Sequence, residues 1–469
     1  MRRKLFALLA ACMLVFAARA QAAEAERPNV VFILADDLGY ADLGSYGQDT
    51  IQTPHLDRLA DQGIRFTQHY AGSTVCAPSR ASLLLGQHTG HHYLRGNGEV
   101  ALPYESRTVA KLLQSAGYRT AMIGKSSVAC NDDDPDRPNA LGFDHFFGLL
   151  AHDQAHYYFP PRLWRNGEEI TYQTNHEHVG EFYAQDLYLD EAKTWLNEQA
   201  QTDQPFFLFY CAHLPHASIT VRPEKWQKMY EDKVENDHPA HHRWYTSTDA
   251  VKAEFAGMVS RLDWEVGQLI RKLEETGQAG NTIIFFASDN GAHTEGGHKE
   301  EHFDSSGPLR GVKRDLYEGG IRVPLIVRWP GRIQPGTTTD HVSAFWDFLP
   351  TVCELAGVEA PDHTDGLSMV PVLTGRPDQQ KTHPYLYWEF HEIRGRRAVR
   401  IGDFKAIQYD VNENPDAPIE VYNLAADLDE SENVAAEHPE IVKAARRLFE
   451  TARTEAELEQ FNWPDPESE

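Results

Sequence analysis

The chain has 469 residues, 41% of them hydrophobic, and a formal net charge of −26. That length and apolar content suit one large domain with an appendage, or two domains, with a sizeable core. The acidic balance, with no basic tail, excludes nucleic acid as a partner, because its backbone is bound by grouped Lys and Arg; any anion site must be made cationic locally.

The first residues read as an address. Arg2, Arg3 and Lys4 precede an apolar run, Leu5 to Ala18, too short to span a bilayer, and Ala18, Ala20, Ala22 and Ala23 offer cleavage sites. The pattern predicts a signal peptide over residues 1–22 and an exported protein, periplasmic or secreted. Leu9-Ala10-Ala11-Cys12 is similar to a lipoprotein box, but the apolar run continues past Cys12, which favours ordinary secretion. No later stretch is long and apolar enough for a transmembrane span. Cys76, Cys130, Cys211 and Cys353 are left in the mature chain and make no disulfide framework.

Arg27 to Ala35 is a continuous β-branched and apolar run, predicting a fully buried strand. It ends in Asp36-Asp37. Adjacent carboxylates after a buried strand are either an Asp turn with a helix cap or a site for a hard cation such as Ca²⁺. Thr53 to Ala60 predicts a helix stopped by Gly63, and Ile64-Arg65-Phe66 a short extended run. Cys76 then opens a helix in which Pro78 is tolerated and an Ala/Ser/Leu run continues to Gly86. Free N–H groups there favour an anion, and Arg80, one turn on, adds a fork of donors. The residues alone leave Cys76 as a buried structural Cys or as a thiolate nucleophile with an unusually short loop to Arg80.

His88, His91 and His92 follow, but Gly90 breaks the helix and no carboxylate joins them nearby, so His88 is read as a substrate contact in a mouth loop rather than a zinc ligand. Glu105 to Ala116 predicts a helix and Tyr118 to Ile123 a strand, followed by Gly124-Lys125. Lys125 suits an anion pocket or the surface. Residues 131–180 read as irregular. Phe182 to Ala200 predicts a helix, and Pro205 to Tyr210 a strand ending in Cys211-Ala212-His213-Leu214-Pro215-His216. His213 is read as an acid, an anion ligand or a structural His. Residues 249–277 predict a long helix, and Asn281 to Ala287 a strand ending in Ser288-Asp289-Asn290-Gly291. Leu325 to Val327 is a further strand, and Phe345 to Ala356 a helix capped by Gly357.

Alternating strands and helices imply a doubly wound α/β sheet with helices on both faces. Ligands of such sheets sit beyond the carboxyl ends of the strands. Asp36, Asp37, Lys125, His213, Asp289 and Asn290 all fall there, on four strands. The pattern changes near residue 375: Tyr385 to Phe390, Ala398 to Ile401 and Phe404 to Tyr409 predict short strands and Glu437 to Glu459 a helix. The organisation expected is a main domain over 27–375 and a smaller C-terminal α+β subdomain over 376–469.

Cys76-Ala77-Pro78-Ser79-Arg80 resembles the signature of type I sulfatases. Asp36-Asp37, Gly124-Lys125, His213 to His216, Asp289-Asn290-Gly291 and Gly311-Val312-Lys313 follow in that family's order and approximate spacing. The likeness covers nearly the whole mature chain and is closest to bacterial carbohydrate sulfatases of the arylsulfatase and N-acetylgalactosamine-6-sulfatase type. The resemblance implies an alkaline-phosphatase-like sheet sandwiched by helices, and Cys76 oxidised by a formylglycine-generating enzyme to 3-oxoalanine (formylglycine), whose hydrate is the nucleophile. It also implies Ca²⁺ held by Asp36, Asp37, Asp289, Asn290 and modified Cys76. Arg80 would steady the nucleophile, while Lys125, Lys313 and His213 would bind sulfate, with His213 and Lys313 serving the departing alcohol.

The implied substrate is a sulfated sugar. Trp388, His391 and Arg394, with His88 and His302, are candidates to contact it. Two departures stand out. Leu85 replaces a usual Thr, and Ser127 stands where many members carry a His, leaving His293, His298 or His302 to take a proton. The alternatives are a phosphodiesterase or phosphonate monoester hydrolase of the same superfamily, and a weakly catalytic sulfoglycan-binding protein.

Overall fold

The computed structural model describes residues 27–464 except 99, 129–130, 152, 237–244 and 247; the expected signal peptide, Cys12 and Cys130 lie outside the described residues. The strands of the first half are β1 (Asn29–Ala35), β2 (Ile64–Phe66), β3 (His69–Tyr70), β4 (Arg119–Lys125), β5 (His145–Leu149), β6 (Arg162–Arg165), β7 (Glu168–Thr171) and β8 (Phe206–Cys211). Those of the second are β9 (Thr282–Ser288), β10 (Leu325–Arg328), β11 (Thr337–Thr339), β12 (Ser343–Ala344), β13 (Leu386–Phe390), β14 (Arg396–Ile401), β15 (Phe404–Tyr409) and β16 (Ile419–Asn423).

The central sheet has the order β11-β2-β10-β9-β1-β8-β4-β5-β6-β7. Its middle, β9-β1-β8-β4-β5, is parallel throughout, as expected of strands apolar on both faces. Alternate residues of β1 enter different cores. Val31 and Ile33 pack with Trp195, Leu262 and Val266 from helices on one face, and Val30, Phe32 and Leu34 pack with Leu84, Leu113 and Leu349 from helices on the other. The sheet is thus covered on both sides, and only its strand ends are left for chemistry. Among the described residues no helix is long and apolar enough to cross a membrane.

Several expected elements differ. Residues 131–180, read as irregular, contain β5 and the β6–β7 hairpin. Its turn is Asn166-Gly167, both at positive φ (48° and 84°), the conformation such a tight turn demands. The hairpin is polar and exposed, so its apolar signal is weak. The helix expected from Glu105 begins at Val109, because the Thr108 side chain accepts Lys111 N–H at 3.2 Å and caps it there. The terminal helix is Pro439–Thr451 rather than Glu437 to Glu459.

β13-β14-β15-β16 form a separate antiparallel sheet. One face, with Trp388, Ala398 and Ile407, packs on Tyr70, Ile321 and Trp346 of the main body. The other, with Tyr387, Val399 and Val421, is covered by Ala445 and Phe449 of the terminal helix.

Candidate active site

Four adjacent parallel strands, β9, β1, β8 and β4, deliver their carboxyl-terminal residues to one place. Asp36 and Asp37 follow β1, Asp289 and Asn290 follow β9, Lys125 ends β4, and the segment from His213 to His216 follows β8. Asp37 has φ +64°, unusual for a non-glycine residue, which turns the chain so that both neighbouring carboxylates stay in the cluster. Gly291 permits the close passage of a second loop, since a Cβ there would lie 1.8 Å from Gly319 O.

The Cys76–Leu85 helix, buried at every position, points its first residue at this cluster. Asn97 Oδ1 accepts the Ala77 N–H at 2.9 Å, satisfying one free donor of the first turn. Cys76 Sγ lies 3.5 Å from Asp36 Oδ1. Arg80 binds Asp289 Oδ2 through Nε (3.0 Å) and Nη2 (2.9 Å), and donates from Nη1 to Lys125 O at 2.6 Å, fastening three of the segments together. Lys125 Nζ is 2.7 Å from Asp36 Oδ2; Lys313 Nζ is 2.8 Å from Asp37 Oδ2 and 3.1 Å from Glu295 Oε2. Three carboxylates and three cations are therefore buried in one contact set.

Burial and the neighbouring Asp36 raise Asp289 to about 7, whereas Lys125, His216 and Arg80 overcome burial and hold Asp36 well below its ordinary value. Against the desolvation cost, Asp37 keeps Lys313 protonated. Burial pushes the Cys76 thiol far above its usual range, which argues against a resting thiolate.

The donor set fits a hard cation. Asn290 Nδ2 donates to Asp37 Oδ1 at 2.7 Å, which turns Asn290 Oδ1 the other way, and that buried acceptor has no hydrogen-bond partner. An acceptor left over among crowded carboxylates is what an oxygen-preferring divalent ion completes. Modification of Cys76 fits as well, since Sγ stands where an oxygen of the modified residue would face the same carboxylate.

Of the two histidines after β8, His216 lies against the carboxylates, Nε2 being 3.5 Å from Asp37 Oδ2. The ring of His213 packs edge-on against Tyr158 and Tyr188, and burial lowers it to about 3. The sequence alone does not mark out His216 or Glu295; the Pro215-His216 pair beside His213 is the available signal for the first. His293 does not suit the proton-accepting role expected of it, because Nε2 meets Pro215 O at 3.1 Å and Nδ1 accepts Glu295 N–H at 3.0 Å. His298 lies flat on Phe255, centroids 3.6 Å apart, and His302 packs edge-on against His298.

The expected substrate contacts need correction. Trp388 is wholly buried, donates Nε1–H to Ala71 O at 3.0 Å, and packs between Tyr70 and Trp346; it joins the C-terminal sheet to the body and is no rim residue. His391 is buried, bound to Glu389 at 3.1 Å and stacked on Trp463. Arg394 is exposed and pairs with Asp410. A carboxylate does join the His88 group: Asp365 lies 2.9 Å from His91 Nδ1 and 3.7 Å from His88 Nε2. Yet His88 Nδ1 accepts Gly90 N–H, so Nε2 carries the proton. The trio is a hydrogen-bonded clamp between loops, and His88 is committed to it rather than to a substrate.

Comparison with known proteins finds sulfatases. Residues 28–358 match the model of the family described as Sulfatase, and residues 312–455 match one described as N-sulphoglucosamine sulphohydrolase, C-terminal. The chain is 32% identical to arylsulfatase A of Bos taurus over 417 residues, covering 84% of this chain and 77% of that one. It is 28% identical to an N-acetylglucosamine-6-O-sulfatase of Bacteroides thetaiotaomicron, covering 94% and 89%. A solved structure in complex with its substrate D-glucosamine-2-N,6-O-disulfate superposes with a TM-score of 0.72 at 25% identity, covering 91% of this chain and 97% of that one.

Proposed function

The chain belongs to the sulfatase family and is a sulfuric ester hydrolase, and on that premise we propose that it releases sulfate from a sulfated carbohydrate with formylglycine made from Cys76 and a bound Ca²⁺. The observation that carries the reading is the burial of Cys76 among Asp36, Asp37, Asp289, Arg80, Lys125 and Lys313, with Asn290 Oδ1 left unpartnered. Asp36, Asp37, Asp289 and Asn290 would hold the ion, completed by an oxygen at position 76. When present, formylglycine supplies a hydroxyl nucleophile and Ca²⁺ polarises the sulfuryl oxygens.

The chain's own groups do the rest. Arg80 fixes Asp289 and the end of β4, setting the distance between metal side and cation side. An ammonium has three protons. Lys125 uses one on Asp36, and Lys313 uses two on Asp37 and Glu295, so each keeps donors for sulfate oxygens. These fixed cations act where negative charge gathers, in a site that needs no rearrangement. Burial keeps His216 neutral, while Asp37 keeps Lys313 charged; Lys313 is therefore the standing proton source for the departing alcohol. The imidazole beside the Asp37 carboxylate is assigned to His216, and His213 to the wall behind it. Maturation by a formylglycine-generating enzyme and export complete the reading.

The test is the mass of the peptide containing Cys76, from a host that has the maturing enzyme. Conversion of the thiol to the aldehyde is expected, together with sulfate release from a 6-sulfated amino sugar. An unmodified thiol in fully active protein would refute the reading.

A further inference from the structure

β4 and β5 run in parallel with Lys125 opposite Leu149, so the loops that follow them leave the sheet at the same end of the strands. The first loop carries Ser127, buried, with an Oγ that has no hydrogen-bond partner. The second carries His156, at the end of the turn Asp153–His156. The loops are joined where Ser126 N donates to Leu149 O and Ser126 Oγ to Leu150 O. The His156 turn is also tied to the His216 turn. Ser218 Oγ donates to His156 O at 3.1 Å, and the Tyr158 hydroxyl reaches the carbonyls of His213 and His216 at 2.7 and 2.8 Å. The imidazole of His156 is thereby held beside that of His216, ring centroids 4.7 Å apart.

Hydrogen bonding sets the tautomer. His156 Nδ1 lies 2.8 Å from Ala217 O, and His216 Nδ1 lies 2.5 Å from the same oxygen. A carbonyl only accepts, so both Nδ1 atoms carry protons and each Nε2 presents a lone pair. His216 Nε2 is turned towards Asp37 Oδ2, 3.5 Å away. His156 is half-buried; burial lowers it most, and Lys125, Glu295 and Lys313 of the site are among the charges that act on it.

We propose that His156 supplies at Nε2 the proton acceptor that Ser127 lacks. A serine hydroxyl is a poor base at neutral pH, while a neutral imidazole with a free nitrogen is a good one. The step is a proton transfer alone: Nε2 takes the proton of a hydroxyl at position 76, the bonding pair stays on that oxygen, and the imidazolium then passes the proton to water and returns to its neutral form. The inference rests on the sulfatase reading and names the residue that completes it.

The first measurement is ¹⁵N-histidine NMR on the full-length, calcium-loaded protein with Cys76 unmodified. His156 is expected in the neutral Nδ1–H tautomer, with an Nε2 resonance that moves on adding inorganic sulfate. An Nε2–H tautomer, or a resonance indifferent to sulfate, overturns the proposal. In the matured enzyme, His156→Gln is expected to lower kcat on glucosamine 6-sulfate by about 10²–10⁴-fold with little change in KM. Adding Ser127→His to that variant should recover most of the loss, because the imidazole returns from the adjoining loop; a merely structural His156 would not be rescued this way. Wild-type kcat in His156→Gln, or loss without rescue, overturns the proposal. An active His156→Gln beside an inactive Cys76→Ala refutes this inference alone, whereas an active Cys76→Ala refutes the sulfatase reading itself.

Discussion

At the seam between the body and the C-terminal sheet, Glu318, Glu430, Lys405, Arg322 and Arg400 are buried together; at the carboxyl ends of the central strands, so are Asp36, Asp37, Asp289, Arg80, Lys125 and Lys313. At the seam every carboxylate oxygen has a hydrogen bond or an ion pair, that of Glu430 Oε1 being its ion pair with Lys405 alone. Lys405 Nζ binds Glu318 at 2.9 Å and Glu430 at 2.8 Å, Tyr70 and Arg322 share the other oxygen of Glu318, and the Glu318 N–H closes on Glu430. The strand-end cluster has comparable ion pairs, but Asn290 Oδ1 and the Ser127 hydroxyl remain without partners. Buried charge by itself is thus no sign of chemistry. A closed set holds two parts of the fold together, and an open one is shaped for something more.

The sharpest way to break this contrast is to remove one member from each set. Cys76→Ala should reduce sulfate release to background while the melting temperature stays near wild type, as calorimetry beside a turnover assay would show. Lys405→Met should do the reverse, costing about 3–5 kcal/mol of stability by stranding two buried carboxylates, with kcat/KM of the folded enzyme unchanged; denaturant titration measures it. Asn290→Ala should weaken Ca²⁺ by at least roughly 10-fold, read by titration calorimetry, with little effect on metal-free stability.

The smallest effect expected is in pH. Lys405, Arg322 and Arg400 hold Glu318 down to about 2 against burial, so its contribution is complete above the ordinary carboxylate range and is lost as pH falls towards that value. Asp289, raised to about 7, acts in the opposite sense: without metal, stability falls as pH rises from about 4 to about 7. Added Ca²⁺ should therefore raise the melting temperature more at pH 8 than at pH 5; equal shifts would contradict the open-cluster account.

Much of the site was legible because its signals are local. A buried apolar run followed at once by Asp36-Asp37, Lys125 or Asp289-Asn290 marks a strand end, and parallel pairing brings such ends together. What stayed hidden depends on partners far away in sequence. Asp365 joins His88 and His91 across more than 270 residues, a pairing no spacing announces. Trp388 and His391 look like a sugar-binding rim by composition, yet Trp388 fills the core under the C-terminal sheet and His391 is buried against Trp463. His216 and His213 are indistinguishable as sequence; only the turn after β8 decides which ring meets Asp37.

Metal content tests the central claim most directly. Purified enzyme should carry one Ca²⁺ per chain by elemental analysis, lose both metal and sulfate release on chelation, and regain both when Ca²⁺ is returned. Full activity in chelated protein that retains no divalent ion would contradict the account.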